Sequence, residues 1–377
     1  MLRVFEAFAG IGAQASSLKR LNIDYEIVGI SEWFINAILC YDAIQNDQKP
    51  EVELPTKTEQ IDYLKQFTFS KDSVHPISDI SKLSEEEIAK LYKANKRTNN
   101  LGSIIDIADG KVKMPTCDLL VYSFPCQDLS TGGKTQGMKK GSGTRSGLLW
   151  EIERILKLLS KEKRLPEYLL LENVKALLAP SNADDLNQWL NVLEELGYKN
   201  SDPLVLDATK FGIPQDRKRC FILSHLKKKI RVSNKDLETN EPINCLDFVY
   251  QDYKKNPIHK LEADEAQLYP TRSREEMWAI NKRDPLSEST IIHTITCNMD
   301  RSNTAAMFKY SGAKGDSYRL LTIREAFKLM GFTEEEYERA KKLGLSYRKM
   351  NKLIGNSIVV NVLTEIFRFL FEKEHLQ

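Results

Sequence analysis

The chain has no paired Cys-x-x-Cys spacing, no apolar run of membrane-spanning length and almost no excess of either charge. Six cysteines, at 40, 117, 126, 220, 245 and 297, are scattered singly. Neither a zinc site nor a disulfide framework is indicated, and the thiols read as reduced. Lys and Arg total 55 against 53 Asp and Glu, a net +2, so any nucleic-acid contact must come from local patches. No basic and apolar leader precedes the first strand, Met1-Leu-Arg-Val-Phe, which makes a soluble intracellular chain the expectation. From about Leu226 to Tyr310 no repeat or low-complexity tract is visible. What remains is 377 residues with an ordinary 41% of hydrophobic side chains, enough for one large α/β domain and a smaller one.

Strand and helix patterns alternate. Leu2 to Phe8 is an apolar run ending in glycines; a helical pattern through Leu18 and Leu21 follows, then a strand at Glu26 to Ile30. Further strands are expected at Ser103 to Ile107, Leu119 to Phe124, Tyr168 to Glu172, Leu204 to Asp207 and Cys220 to Ser224. Helices at Leu148 to Leu159 and Leu186 to Leu196 separate some of them. This order predicts an α/β fold with a doubly wound, largely parallel sheet. Residues 49–102, polar and charged with a helical pattern at Glu85 to Lys96, read as an insertion. From about Leu226 to Tyr310 the alternation stops, which suggests a second domain. Helical signals return at Thr322 to Met330 and Val359 to Phe371, where Ile358, Val362, Ile366, Phe369 and Leu370 would pack back on the first sheet.

Two constellations carry chemistry. The glycines of Phe8-Ala9-Gly10-Ile11-Gly12 stand where a strand turns into a helix, so backbone can approach a ligand closely, and Glu32 follows Gly12 by twenty residues at the end of the next strand, where a carboxylate can hold ribose hydroxyls. The turn departs from Gly-x-Gly-x-x-Gly, having Ala15 at the last position, which favours S-adenosylmethionine over a nicotinamide. The second is Ser123-Phe-Pro-Cys-Gln-Asp at the end of the run Asp118-Leu-Leu-Val-Tyr, which delivers Cys126 to the carboxyl edge of the sheet. A buried structural cysteine is the commoner fate of the residue type. Here it has companions: Glu172-Asn-Val, Gln215-Asp-Arg217-Lys-Arg219 and Gly355-Asn-Ser357.

In that order these blocks resemble the motifs of the DNA cytosine-5 methyltransferase family. Val4 to Gln14, Ser123 to Ser130 and Met138 to Arg154 look like its mollicute-type members that methylate CpG. The resemblance covers roughly 1–225 and 318–371, and no catalytic position departs from the pattern. It implies a Rossmann-like S-adenosylmethionine-dependent domain made of 1–225 and 318–377, with a target-recognition domain at 226–317. The similarity of 226–317 is weaker apart from His293-Thr-Ile-Thr296.

By the same resemblance Cys126 would add to carbon 6 of a cytosine flipped out of the duplex, making carbon 5 nucleophilic, while Glu172 holds N3 and the exocyclic amine. Arg219 would bind the cytosine O2, with Gln215 and Arg217 bracing the site. Cofactor contacts would come from Phe8, Ala9, Gly10, Ile11, Gly12, Glu32, Phe124 and Pro125, with Trp33 stacked on the adenine, Asp106 and Ile107 at its edge, and Leu149, Asn356 and Ser357 closing the pocket. Residues 131–147, glycine-rich with Lys134, Lys139, Lys140 and Arg145 and no acid, read as a basic lid over DNA that begins near Gln127 and Ser130. Lys227-Lys-Lys-Ile-Arg231, Arg272, Arg274 and Arg301 are candidates for phosphate or guanine contacts. No metal is expected. The partner implied is double-stranded DNA, met by a monomer, with a cognate restriction endonuclease left open.

CpG leads as the target, with GpC or another short site open. Two other readings stand beside this one: an RNA methyltransferase of the same fold, against which the sizeable second domain argues, and a catalytically silent DNA-binding protein, against which the intact Cys126, Glu172 and cofactor turn argue.

Overall fold

The computed structural model describes residues 1–126, 129, 137–141, 143–280, 286–300 and 305–373. Its contacts group the chain into two units: Met1–Leu206 with Lys218–Leu237 and Ile366–Gln377, and Asp207–Arg217 with Glu238–Glu365. The partition implied by the resemblance, 1–225 with 318–377 apart from 226–317, is a different cut, made by role rather than by contact.

The first unit is built on one sheet. Its strands are β1 (Leu2–Ala7), β2 (Tyr25–Ser31), β3 (Leu119–Tyr122), β4 (Tyr168–Val174), β5 (Lys199–Asn200) and β6 (Leu204–Asp207); after the two-residue β7 (Gln215–Asp216) of the second unit comes β8 (Lys218–His225). The order is β2-β1-β3-β4-β8-β5, with β6 also on β8. β2, β1, β3 and β4 run parallel, whereas β8 is antiparallel to β4 and β5 to β8. Helices α1 (Ala13–Leu18), α2 (Ile35–Gln45), α3 (Lys57–Leu64), α4 (Glu85–Arg97), α5 (Ile104–Ala108), α6 (Leu149–Lys161) and α7 (Ala183–Glu195) complete the α/β architecture expected from the alternation. Val4, Phe5 and Ala7 of β1 and all of β3 are buried, the mark of strands covered on both faces. Trp189 of α7, fully buried, meets the rings of Tyr122 and Trp150 edge-on at 5.8 and 6.1 Å, a geometry that adds roughly 0.5–1.5 kcal/mol per pair beyond burial.

One expected strand is a helix. Ser103 to Ile107 is rich in isoleucine, yet Gly102 turns the chain at φ +67 and the Ser103 hydroxyl caps Ile105 N at 3.3 Å, opening α5. Ile104 and Ile107, three apart, then face the core while Ile105 stays exposed.

The insertion has its own core. Capping boxes open α3 (Thr56 with Glu59) and α4 (Ser84 with Glu87), and Leu64, Phe69, Ile88 and Leu91 pack with Ile38 of α2. The Arg97 guanidinium forks onto buried Asp42 of α2, with Nε 2.9 Å from Oδ1.

Among the described residues the second unit has two small sheets. β7 pairs parallel with β9 (Ile292–His293), and β10 (Met307–Gly312) and β11 (Gly315–Leu320) form an antiparallel hairpin. At the hairpin's end Arg319 and Glu325, both fully buried, form two 2.9 Å hydrogen bonds, and Glu325 also closes a capping box with Thr322. The sequence offered no apolar stretch of membrane-spanning length, but the helical segment Tyr347–Glu372 meets that test by length and composition. Its most apolar window is 72% buried inside the protein, as in a core helix.

Candidate active site

Adjacent parallel strands put two functional groups side by side. Tyr122 of β3 is opposite Leu171 of β4, so Ser123 and Glu172 follow at the same carboxyl edge. The Ser123 hydroxyl donates to Glu172 Oε2. Beyond Ser123 the loop is held at successive carbonyls: Asn173 Nδ2 donates to Phe124 O at 3.0 Å, and Ser146 Oγ to Pro125 O at 2.7 Å. Leu129 N closes onto Cys126 O at 3.0 Å. These bonds fix where Cys126 leaves the sheet.

Burial separates the thiols. Cys126 and Cys297 are half-buried, whereas Cys40, Cys117, Cys220 and Cys245 are buried. Burial pushes the first three of those four up to about 12 and Cys245 to about 11, which removes them as nucleophiles near neutral pH. In the second unit, Cys297 Sγ lies 2.8 Å from Asn356 Oδ1.

Glu172 is 5% exposed. In the antiparallel register it faces Phe221 while Val174 faces Arg219, so Arg219 is its diagonal neighbour on the same sheet face. Arg219 Nε stands 3.5 Å from Glu172 Oε1, and its Nη1 donates to Lys218 O at 2.8 Å. A thiol-bearing loop, a carboxylate and a guanidinium thus belong to one sheet edge.

The glycine turn forms the other half of the site. Phe8, Gly10 and Gly12 all have positive φ, at +57, +59 and +84; only the glycines take that conformation without strain. No described atom lies within 4 Å of where a Cβ on Gly10 would stand, so the backbone there borders open space. Glu32, half-buried just past β2, accepts from Gly10 N at 3.0 Å and from Phe34 N at 2.8 Å. Burial raises its carboxyl above the ordinary range, opposed by those N–H groups. A backbone turn over open space beside a carboxylate with lone pairs to spare fits an adenosyl ribose.

The remaining predicted residues divide. Ile107, Phe124 and Leu149 are buried in the main core, with Phe8 packed against it. Ala9 and Ile11 are buried, and Trp33 is half-buried with its carbonyl accepting from Ser70 N at 2.7 Å. Asp106, 2% exposed, holds Thr68 N at 2.8 Å and Thr68 Oγ1 at 3.1 Å and meets Lys111 Nζ at 3.3 Å. Gln215, Arg217, Asn356 and Ser357 belong to the second unit. There Gln215 donates to Leu329 O and accepts from Ile295 N, and buried Arg217 donates to Ile295 O, Gly355 O and Ser357 O at 2.6–3.1 Å. These two side chains brace loops of their own unit.

Of the expected lid, Gln127, Ser130 and Lys134 lie outside the described residues. Lys139 is exposed, Lys140 is paired to Glu153 at 2.5 Å, and Arg145 Nη2 donates to Ser73 O at 2.7 Å. Among the other basic candidates, Lys229 pairs with Asp202, Arg272 with Glu276 and Arg274 with Asp300, while Arg301 lies outside the described residues. Sequence reasoning missed the roles of Asn173 and Ser146 in holding the thiol loop, although Asn173 stood next to Glu172. It also missed Asn100, which no local pattern marks.

Comparison with known proteins gives a consistent result. A profile of the C-5 cytosine-specific DNA methylases matches residues 78–372. The chain is 39% identical to the orphan methyltransferase M.SssI of Spiroplasma monobiae, across 97% of this chain and 96% of the relative. It is 34% identical to the type II methyltransferase M2.ScrFI of Lactococcus lactis subsp. cremoris, across 99% and 100%. In fold it is similar to the Dnmt2 methyltransferase of S. pombe, with a TM-score of 0.64 at 19% identity and full coverage of both chains. It is also similar to the Entamoeba histolytica methyltransferase EhMeth, with a TM-score of 0.57 at 15% identity over 99% of each.

Proposed function

Because the chain belongs to the C-5 cytosine-specific DNA methylases and is a DNA cytosine-5 methyltransferase, we propose that it methylates a cytosine flipped out of duplex DNA through a covalent bond from Cys126. The observation that carries this reading is the shared edge of β3 and β4, where half-buried Cys126 stands on a tethered loop beside a Glu172 already engaged by Ser123 and Arg219.

The chain's own groups divide the work. Cys126, as thiolate, forms a bond to carbon 6 of the cytosine, and the ring's electron pair moves to carbon 5. Glu172 passes a proton to N3 as that bond forms and takes it back as the adduct collapses, and Arg219 offers its guanidinium to O2; both groups answer charge that grows on the ring. S-adenosylmethionine, when bound, supplies the methyl group. It would be held by the Phe8–Gly12 turn and the Glu32 carboxylate, with Trp33 at the adenine. A base then takes the carbon 5 proton, the electron pair re-forms the 5,6 double bond and the Cys126 sulfur leaves. The target base must leave the stack, because carbons 5 and 6 cannot be reached from above and below inside a duplex.

Residues 1–225 with 318–377 form the catalytic part in this reading, and 226–317 choose the sequence. CpG leads as the target on the family resemblance. The type II name of the Lactococcus relative supports a companion endonuclease and the orphan name of the Spiroplasma relative supports none; the chain acts as a monomer.

DNA containing 5-fluorocytosine tests the covalent step, since the methylated adduct has no carbon 5 proton to lose. A stable Cys126-dependent adduct formed with S-adenosylmethionine is the expected result. Release of unmodified DNA by an enzyme active on ordinary DNA would contradict the mechanism. An RNA substrate preferred over DNA in competition would favour the related RNA-modifying chemistry.

A further inference from the structure

The insertion ends on a residue that reaches the cofactor side of the sheet. Asn100, 1% exposed, accepts on Oδ1 from Glu32 N at 3.0 Å and Gly102 N at 3.1 Å, and donates from Nδ2 to Glu32 O at 3.0 Å and Asn95 Oδ1 at 2.8 Å. An amide carries an acceptor and a double donor on one fork, so it can take both backbone groups of one residue as a neighbouring strand would; neither a carboxylate nor a methyl can do both. Asn100 therefore extends strand-like pairing past Ser31, the last residue of β2, and holds the Glu32 peptide on both sides.

A second grip lies one residue further on. Ser70, fully buried, donates from N to Trp33 O at 2.7 Å and accepts at O from Ile35 N at 3.0 Å. Asn95 is itself held, donating to Tyr63 OH and to Asn100 O at 3.1 Å each. Residues 32–35 are thus clasped by two segments of the insertion, while the Glu32 carboxylate spans Gly10 N and Phe34 N.

We propose that Asn100 is a positioning residue for the cofactor: through it, the 49–102 insertion sets the orientation of the Glu32 carboxylate and Trp33 that an adenosyl group meets. The inference rests on the assignment of Glu32 as the ribose-binding carboxylate.

The test is calorimetric binding of S-adenosylhomocysteine to the full chain, wild type against Asn100→Asp and Asn100→Ser, with steady-state kinetics alongside. Asn100→Asp loses the donor to Glu32 O; Asn100→Ser keeps one small hydroxyl in place of the fork. Binding weaker by about tenfold or more, with a raised KM for S-adenosylmethionine and kcat at saturating cofactor within about twofold of wild type, is the expected result. Should Asn100→Asp fail to fold by thermal melting, Asn100→Ser carries the test on the same criteria. Unchanged affinity in a folded variant, or a fall in kcat with affinity intact, overturns the inference and leaves the assignment of the cofactor standing. A wild-type chain that does not bind S-adenosylhomocysteine, or a Glu32→Gln variant that binds it as tightly as wild type, overturns the assignment and the inference together.

Discussion

At the scale of single residues, burial sets four of the six thiols apart from Cys126 and Cys297. Four of six thiols are sealed in cores, and Cys126 is left half-buried on a loop whose carbonyls are tied by Asn173 and Ser146. Cys126→Ser removes the proposed nucleophile and almost no volume. It should lower methyl transfer by at least roughly a thousandfold while DNA binding in a mobility-shift titration stays near wild type. Near-normal turnover would remove Cys126 from the mechanism. Glu6 makes a different prediction. It is wholly buried on β1, and burial pushes its carboxyl from 4.5 up to about 8, with Tyr41 opposing. Between those values the unfolded chain has released a proton that the folded chain still holds. The stability linked to Glu6 is therefore whole below about pH 4.5 and falls as pH rises toward about 8. Across that interval the loss is on the order of a few kcal/mol. Melting temperatures of wild type and Glu6→Gln, measured across that range, should cross, with the variant the more stable at pH 8; parallel curves would show that Glu6 does not titrate there.

At the scale of elements, the sequence carried the parts whose physics is local. Alternating strand and helix periods predicted the sheet, and the strand ends that carry Ser123 and Glu172 follow because parallel strands of equal phase end together. The isoleucines of 103–107 misled, since β-branched content outweighed a capping serine after a left-handed glycine. Asn100, Ser70 and Thr68 could not be foreseen, because their work is done across the fold on Glu32, Trp33 and Asp106, and spacing in the chain says nothing of such pairings. Glycine at 355 was noted as part of a motif, and its reason is steric: a Cβ there would stand 2.4 Å from Thr296 C and 2.5 Å from Thr296 O, both backbone atoms. Gly355→Ala should cost the second unit about 1–3 kcal/mol, read as a lower denaturant midpoint. Unchanged stability would mean that the Thr296 backbone yields freely.

At the scale of the whole molecule, a net charge of +2 gives no general attraction to DNA, so affinity must rest on a few side chains not already spent on internal partners. Lys140 is paired to Glu153, while Lys139 beside it is exposed. Lys139→Ala should reduce the salt dependence of DNA binding by about one unit of slope, equally for all sequences, and Lys140→Ala should change it less. The reverse order would show that the Glu153 pair opens to DNA. Family membership and two relatives matched over nearly the full chain place the reaction, whereas target choice is proposed for 226–317, the stretch whose resemblance to the family is weakest.

The measurement that tests the central claim most directly is bisulfite sequencing of plasmid DNA recovered from cells expressing the wild-type chain or Cys126→Ser. Cytosines protected in one short context, CpG first among them, by the wild type alone are the predicted result. Protection by both proteins would contradict the role of Cys126, and protection by neither would contradict methylation of DNA at carbon 5 by this chain.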